Sequence, residues 1–223
     1  MKIKLSTVYG SHEKYDVEIT KVALDTENLD EREALANGWL LSNDKWYFSR
    51  SVRVNLNKAS TKLPLIKGIS FGIEPYSAEA FNDIYNTYIK YKGFTKRYDY
   101  AADFHRSSWL VVRDEGEMVA FTKLVRYTGG MESAFTAWTY HKPKLSIGTN
   151  ILYYEMDQAR QAGLDYLYIG AGYGEGSKYK SMIDGFEWWT GEEWSTDRKQ
   201  YLDLCESDAN INTLYDLSKI MNA

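Results

Sequence analysis

Leu145-Ser146-Ile147-Gly148-Thr149-Asn150-Ile151-Leu152, followed by Tyr166-Leu167-Tyr168-Ile169-Gly170 and then Lys178-Tyr179-Lys180, is the stretch whose reading decides the fold. Ser146 and Thr149 are good N-cap residues, and Gly148 lets the backbone bend and approach a ligand closely. The helix predicted to follow carries Leu152, Met156, Ala159 and Gly163 at helical spacing, so it lies on a sheet and stops near Gly163. Its first N–H groups and positive dipole end face the turn, and a phosphate is the natural guest there. The same four residues also make an ordinary helix cap. Asp165 to Ala171 alternates tyrosine with leucine and isoleucine and ends at glycines, which reads as a central strand breaking off at a functional edge.

Outward from that module, Ser108 to Arg113, a tight Asp114-Glu115-Gly116-Glu117 turn, Met118 to Tyr127, a Gly129-Gly130 turn and Met131 to Tyr140 predict a three-stranded antiparallel meander. The length of 223 residues suits one large domain or two small ones. The best boundary lies near Leu63-Pro64-Leu65-Ile66-Lys67-Gly68, giving an N-terminal strand-rich region over 1–66 and a core over 67–223. No apolar run approaches the ~20 residues of a membrane span. Met1-Lys2-Ile3-Lys4 begins a polar strand, and Cys205 is the only cysteine, so a cytoplasmic location and no cysteine-built metal or iron–sulfur site are expected.

Strands, an anion turn with its helix, another strand, a short helix and a last strand resemble the layout of the GNAT-type N-acyltransferases. The resemblance implies an α+β fold: a mixed, mostly antiparallel sheet with flanking helices, here with a small N-terminal strand-rich extension. It also implies a notch between two splayed strands where donor and acceptor meet. At residue level, Ser146-Ile147-Gly148-Thr149, Tyr166-Leu167-Tyr168-Ile169-Gly170 and Lys178-Tyr179-Lys180 are similar to the Ser-Leu-Gly-Thr, Tyr-Leu-Gly-Tyr and Lys-Met-x-Tyr-Lys signatures of the arginyl- and leucyl-tRNA-protein transferases. Leu35-Ala36-Asn37-Gly38-Trp39, Trp46-Tyr47-Phe48 and Val52-Arg53-Val54 resemble earlier runs of that family in the same order. The chain departs from it in lacking the N-terminal cysteines, in reading His141-Lys142-Pro143 where Asp-Pro is usual, and in Tyr168-Ile169-Gly170-Ala171-Gly172-Tyr173. An acetyl-CoA loop of the Gln/Arg-x-x-Gly-x-Gly/Ala type would need a cation or amide at Leu145 and a small residue at Asn150, and neither is present.

The resemblance implies amino-acid transfer from aminoacyl-tRNA to an amine on a protein, peptide or small molecule, with the charged tRNA as co-substrate and no further cofactor or metal. Ser146, Ile147, Gly148, Thr149 and Asn150, with Lys142 and Lys144, are the expected donor-binding residues. Tyr179 is the candidate acid or proton relay, and His141, beside the donor turn, is a second candidate because imidazole titrates near neutrality. Trp138, Tyr140, Tyr168, Gly170, Lys178 and Lys180 are the expected substrate contacts. Either tyrosine beside a strand, and Trp138 with them, also suits plain core packing. The net charge of −4 is unfavourable for RNA overall. Locally, however, Lys90, Lys92, Lys96, Arg97 and Arg106 interleave with Tyr88, Tyr91, Phe94, Tyr98 and Tyr100, a pattern suited to a phosphate track with stacking platforms. An acyl-CoA-dependent N-acyltransferase and a non-catalytic RNA- or protein-binding module are the competing readings.

Overall fold

The structure is a computed structural model that describes residues 2–9, 15–22, 30–42, 45–60, 62–64, 66–94, 106–140, 142–208 and 210, with backbone alone at 2–9, 15–22, 42 and 45. Two sheets carry it. Strands β1 (Lys2–Tyr9), β2 (Tyr15–Val22), β3 (Trp39–Ser42) and β4 (Lys45–Phe48) form a four-stranded sheet in the order β1-β2-β4-β3, with helix α1 (Glu31–Ala36) leading into β3. The larger sheet has eight strands. They are β5 (Ser51–Asn55), β6 (Ile69–Glu74), β7 (Ser107–Asp114), β8 (Glu117–Tyr127), β9 (Gly130–Trp138), β10 (Tyr166–Ala171), β11 (Phe186–Trp189) and β12 (Trp194–Ser195), in the order β12-β11-β5-β10-β9-β8-β7-β6. Helices α2 (Ala78–Lys92), α3 (Ile147–Gln161) and α4 (Arg198–Asp208) flank it.

The expected meander is present as β7, β8 and β9, paired antiparallel through tight turns. Alternation along these strands sends residues to opposite faces. Leu110, Val112, Ala120 and Leu124 meet Ile151, Leu152 and Met156 of α3 on one face. Trp109, Val111 and Phe121 meet Phe81, Ile84 and Tyr85 of α2 on the other. Beside α2, on that second face, Leu35, Leu40 and Trp46 pack on Val125, Tyr127 and Tyr168, so the small sheet is held to the large one by a shared apolar cluster.

One strand differs from the expected N-terminal grouping. β5 lies inside the large sheet between β11 and β10, antiparallel to both, and all five of its residues are buried. Val52 and Val54 point to the α3 side. Arg53 points the other way, where Glu187 receives it at 2.7 Å and the rings of Tyr166 and Trp194 sandwich its guanidinium, each 3.9 Å away.

β10 is parallel to β9, and their pairing is confined to Leu167↔Met131 and Tyr168↔Glu132. Beyond those pairs the two strands part company. α3, which connects them, packs behind the gap, because a parallel connection must cross over one face of the sheet. The result is the GNAT-like α+β fold: a mixed, mostly antiparallel sheet with flanking helices, opened by a splay between β9 and β10. No helix among the described residues is long and apolar enough to cross a membrane.

Candidate functional site

The splay opens into a cavity of about 960 Å³. The end of β9, the last residues of β10, the first turns of α3, the C-terminal end of α2 and Tyr179 surround it. It therefore gathers residues from α2, from the run that leads from β9 into α3, and from the run that leads from β10 to Tyr179.

The donor turn is built differently from the simple cap expected of it. A 3-10 turn at Pro143–Leu145 runs into Ser146, which adopts a left-handed conformation (φ 48°) and makes no side-chain cap bond. Its carbonyl instead accepts from the N–H groups of Thr149 and Asn150, both at 2.9 Å, and the Asn150 amide closes the turn on the Leu145 carbonyl at 2.6 Å. The N–H groups of Ile147 and Gly148 precede the first helical bond and have no partner among the described residues, as expected of a helix N-terminus. Gly148 is needed for a reason the turn alone does not reveal. A Cβ there would stand 2.7 Å from the indole of Trp138, so the absent side chain makes room for a ring that walls the cavity.

Aromatic faces form that wall. Trp138 lies 4.7 Å from Tyr140 and 4.9 Å from Tyr88 of α2, while Tyr91 stacks on Tyr140 at 3.6 Å. Tyr140 holds a positive φ of 59°, and its hydroxyl is buried with no hydrogen-bond partner among the described residues. Two non-glycine residues in left-handed conformations, Tyr140 and Ser146, thus bracket the segment that delivers the turn, and such strain concentrates at functional sites. Lys92 reaches over the wall, with its ammonium 5.4 Å from the Trp138 ring centre, and burial lowers its pKa.

Among the other expected residues, Ile147, Thr149, Lys142, Gly170 and Tyr179 line the cavity as well. The Lys142 ammonium pairs with the Asp114 carboxylate at 2.5 Å, a bond that raises its pKa. Gly170 sits at a bulge in β10 with φ 75°. Lys180 is buried beneath that bulge and donates to the carbonyls of Ile169 at 2.7 Å and Ala171 at 2.5 Å. It ties off the strand end from below. Tyr168 points to the opposite face of the sheet, into the cluster with Leu35 and Tyr127. Lys178 pairs with Glu175 at 2.7 Å outside the cavity lining, and Lys144 is exposed and also outside it. His141, Lys96, Arg97, Tyr98 and Tyr100 lie outside the described residues.

Tyr179 presents 51 % of its surface to solvent, at the cavity. Its phenol pKa is nevertheless pushed up to about 12, by burial first and by the charge of Glu155 second. It is a neutral O–H donor throughout the physiological range.

Glu155 is the residue that sequence reasoning passed over. It stands on the sheet-facing stripe of α3 with Ile151, Leu152, Met156 and Ala159, only 1 % exposed, and lines the cavity. Its Oε1 accepts from the Thr122 hydroxyl at 2.7 Å and from Thr136 at 3.4 Å. Its Oε2 is buried with no hydrogen-bond partner among the described residues. Burial raises the carboxyl pKa from 4.5 to about 7, against the opposing pull of hydroxyls at Thr122, Ser133 and Thr136. The signal was visible as a carboxylate interrupting an apolar stripe one residue before Met156. Taken together, the cavity offers backbone donors at one end, a neutral phenol, aromatic walls and a buried carboxylate at its floor.

No family model matches the chain, and no curated protein matches it. Several solved structures are similar. One is L-PGS from Bacillus licheniformis, with 18% identity and a TM-score of 0.46 over 64% of this chain and 52% of that one. A second is a GCN5-related N-acetyltransferase from Kribbella flavida, with 16% identity and a TM-score of 0.42 over 55% and 48%. A third, a functionally unknown conserved protein from Staphylococcus epidermidis, has 13% identity and a TM-score of 0.42 over 76% and 69%. The chain spans about half the length of the first two.

Proposed function

We propose that the cavity transfers an amino acid from aminoacyl-tRNA to an amine acceptor, on a protein, a peptide or a small molecule. The observation that carries this reading is the convergence of the α3 N-terminus and Tyr179 on one cavity at the β9–β10 splay. The donor's terminal phosphate or ribose meets the Ile147 and Gly148 N–H groups, where the helix dipole favours negative charge. Its aminoacyl ester then lies deeper, between the aromatic wall and Tyr179. The acceptor nitrogen bonds to the ester carbonyl carbon, the bond from that carbon to the ribose oxygen breaks, and the ribose oxygen takes up a proton as the nitrogen loses one. Tyr179 serves that exchange. No covalent enzyme intermediate is needed, because the donor ester is already activated. Charged tRNA is favoured over coenzyme A by Leu145 and Asn150, which occupy positions where an acetyl-CoA loop carries a cation or amide and a small residue.

The test is to incubate the protein with a mixture of charged tRNAs and an amine-bearing peptide library. One or a few amino acids should leave their tRNAs and appear on the amines. Unchanged charging of every tRNA, with acetyl-CoA consumed in a parallel reaction, would sink this reading in favour of an acetyltransferase.

Gly148 provides a second check. Gly148→Leu must displace the Trp138 ring and crowd the free N–H groups, so charged tRNA should bind about tenfold more weakly, the scale of one lost hydrogen bond or wall contact. Trp138 is only half-buried, so the ring has room to move and the thermal melt should change little. Binding that equals the wild type in a filter or fluorescence titration would remove the turn from the donor site.

A further inference from the structure

We infer that Glu155 makes the floor of the cavity a subsite for a primary ammonium group of the substrate. The inference rests on the reading of the cavity as the transfer site and adds what that site recognises.

Two buried glutamates in this chain make the case by contrast. Glu187, 4 % exposed, bonds with Arg53 at 2.8 Å, Asn55 at 3.1 Å and Lys58 at 3.0 Å. Burial alone would raise its pKa, yet the Lys58, Arg53 and Asn55 contacts outweigh burial and hold it below the ordinary value. That carboxylate is satisfied by the protein itself. Glu155 is buried more deeply and receives hydroxyls on one oxygen, with no cation bonded to it among the described residues. A buried carboxylate with an unbonded oxygen is costly unless a partner arrives. Glu155 borders the cavity, with Oε2 just below the cavity surface.

The surroundings select the partner's chemistry. An anion would be repelled, and a neutral apolar group would leave Oε2 unpaired. A primary ammonium supplies three donors and a charge. The lysines at the cavity are engaged elsewhere, Lys142 with Asp114 and Lys92 over the Trp138 ring. Seven residues of helix separate Gly148 from Glu155, roughly 10 Å along the α3 axis at 1.5 Å per residue. The cavity is therefore electropositive at its turn and electronegative at its floor, matching a ligand with a phosphate at one end and an amine at the other. Such an amine comes either from the α-ammonium of the aminoacyl donor or from the ammonium of the acceptor before it is deprotonated.

Affinity for the amine should depend on pH. Ammonium binds the ionised form of Glu155, whose carboxyl titrates near 7, while an α-amine begins to lose its own proton at about 7.7–8.0, so binding tightens about fivefold from pH 6 to pH 7 and levels off or falls above that. Tyr179 is the titratable group that faces Glu155, and with a pKa of about 12 it stays neutral over this range; Thr122, Thr136 and Ser133 do not titrate.

The experiment compares free amines with acetylated ones by titration calorimetry, in two arms. The donor arm uses total aminoacyl-tRNA before and after acetylation of the α-amine. The acceptor arm uses a dipeptide library with free and with acetylated N-termini. In one arm the free amine should bind about tenfold or more tightly near pH 7, the preference should grow from pH 6 to pH 7, and Glu155→Gln should abolish it; the responding arm identifies the source of the ammonium. If acetylation changes nothing in either arm of the wild-type protein, there is no ammonium subsite, whatever the variant does. A preference that survives in a folded Glu155→Gln protein overturns the assignment to this residue. Amine discrimination without transfer from any charged tRNA would refute the proposed reaction and leave the subsite standing, and transfer without discrimination would do the reverse.

Discussion

A Tyr179→Phe protein is expected to transfer amino acid from charged tRNA about 10²-fold more slowly or worse, the usual size of an acid–base contribution, while binding uncharged tRNA as the wild type does. The substitution removes one hydroxyl and keeps the ring, so the cavity wall is preserved. Tyr179 is held in the 3-10 segment Glu175–Met182, whose last turn is fixed by the Lys180 ammonium on the carbonyls of Ile169 and Ala171. That anchorage places the phenol beside the end of β10, where the strand leaves the sheet. With its pKa raised to about 12 it remains protonated at neutral pH, which suits a group that donates to the departing ribose oxygen and recovers a proton from the acceptor amine. Uncharged tRNA has no ester to protonate, so its affinity should not respond. Single-turnover rates at saturating donor separate the two effects. A full transfer rate in Tyr179→Phe would exclude the role and leave the substrate's own hydroxyl to relay the proton.

Glu155→Gln should gain stability relative to the wild type as pH rises from 5 to 8. The native pKa of Glu155, about 7, lies above the ordinary 4.5, so the folded state holds a proton that the unfolded chain has already lost between those values. Its contribution to stability is complete below pH 4.5 and is lost as pH rises through 7, a total of roughly 3 kcal/mol at about 1.4 kcal/mol per unit. A glutamine amide cannot ionise, so the variant escapes that loss; its oxygen can still accept from Thr122, and its NH₂ must find the partner that Oε2 lacks. The expected gain at pH 8 is therefore on the order of 1–3 kcal/mol once an unsatisfied amide donor is allowed for. Urea unfolding of both proteins at pH 5 and pH 8 reads the difference directly. Parallel stability curves for the two proteins would show that Glu155 does not carry an uncompensated charge. A variant that is stabilised yet loses its substrate is the pattern of a residue kept for function at the expense of the fold.

Much of this protein follows from local sequence, because local rules act over a few residues. The apolar spacing of α3, the turn residues at Glu115-Gly116 and Gly129-Gly130, and the alternation in β7 to β10 each depend on neighbours within one or two turns of chain. The turn before α3 and the strand over Asp165 to Ala171, observed as Tyr166–Ala171, were legible for the same reason. So was the order of elements from which a splayed, mostly antiparallel sheet follows.

Other features depended on partners distant in the chain. Ser-Val-Arg-Val-Asn at β5 reads as an ordinary short strand; its place between β10 and β11 is set by burial on both faces, with Val52 and Val54 facing α3 and Arg53 reaching Glu187, 134 residues away. Gly148 looked like a point of approach for a ligand, but Trp138, ten residues upstream on a strand end, is what occupies the space a Cβ would need. Lys180 read as a substrate contact, and its ammonium is directed to two carbonyls of a bulge that exists only once β10 is paired with β5. Glu155 could be seen as a charge on an apolar stripe, but whether such a charge is neutralised, as Glu187 is, or left facing a cavity depends on which side chains the neighbouring strands bring to it. Periodicity along one chain segment determines which face of an element is buried; only the assembled sheet decides what that face meets, and here it meets two threonines and an opening rather than an arginine.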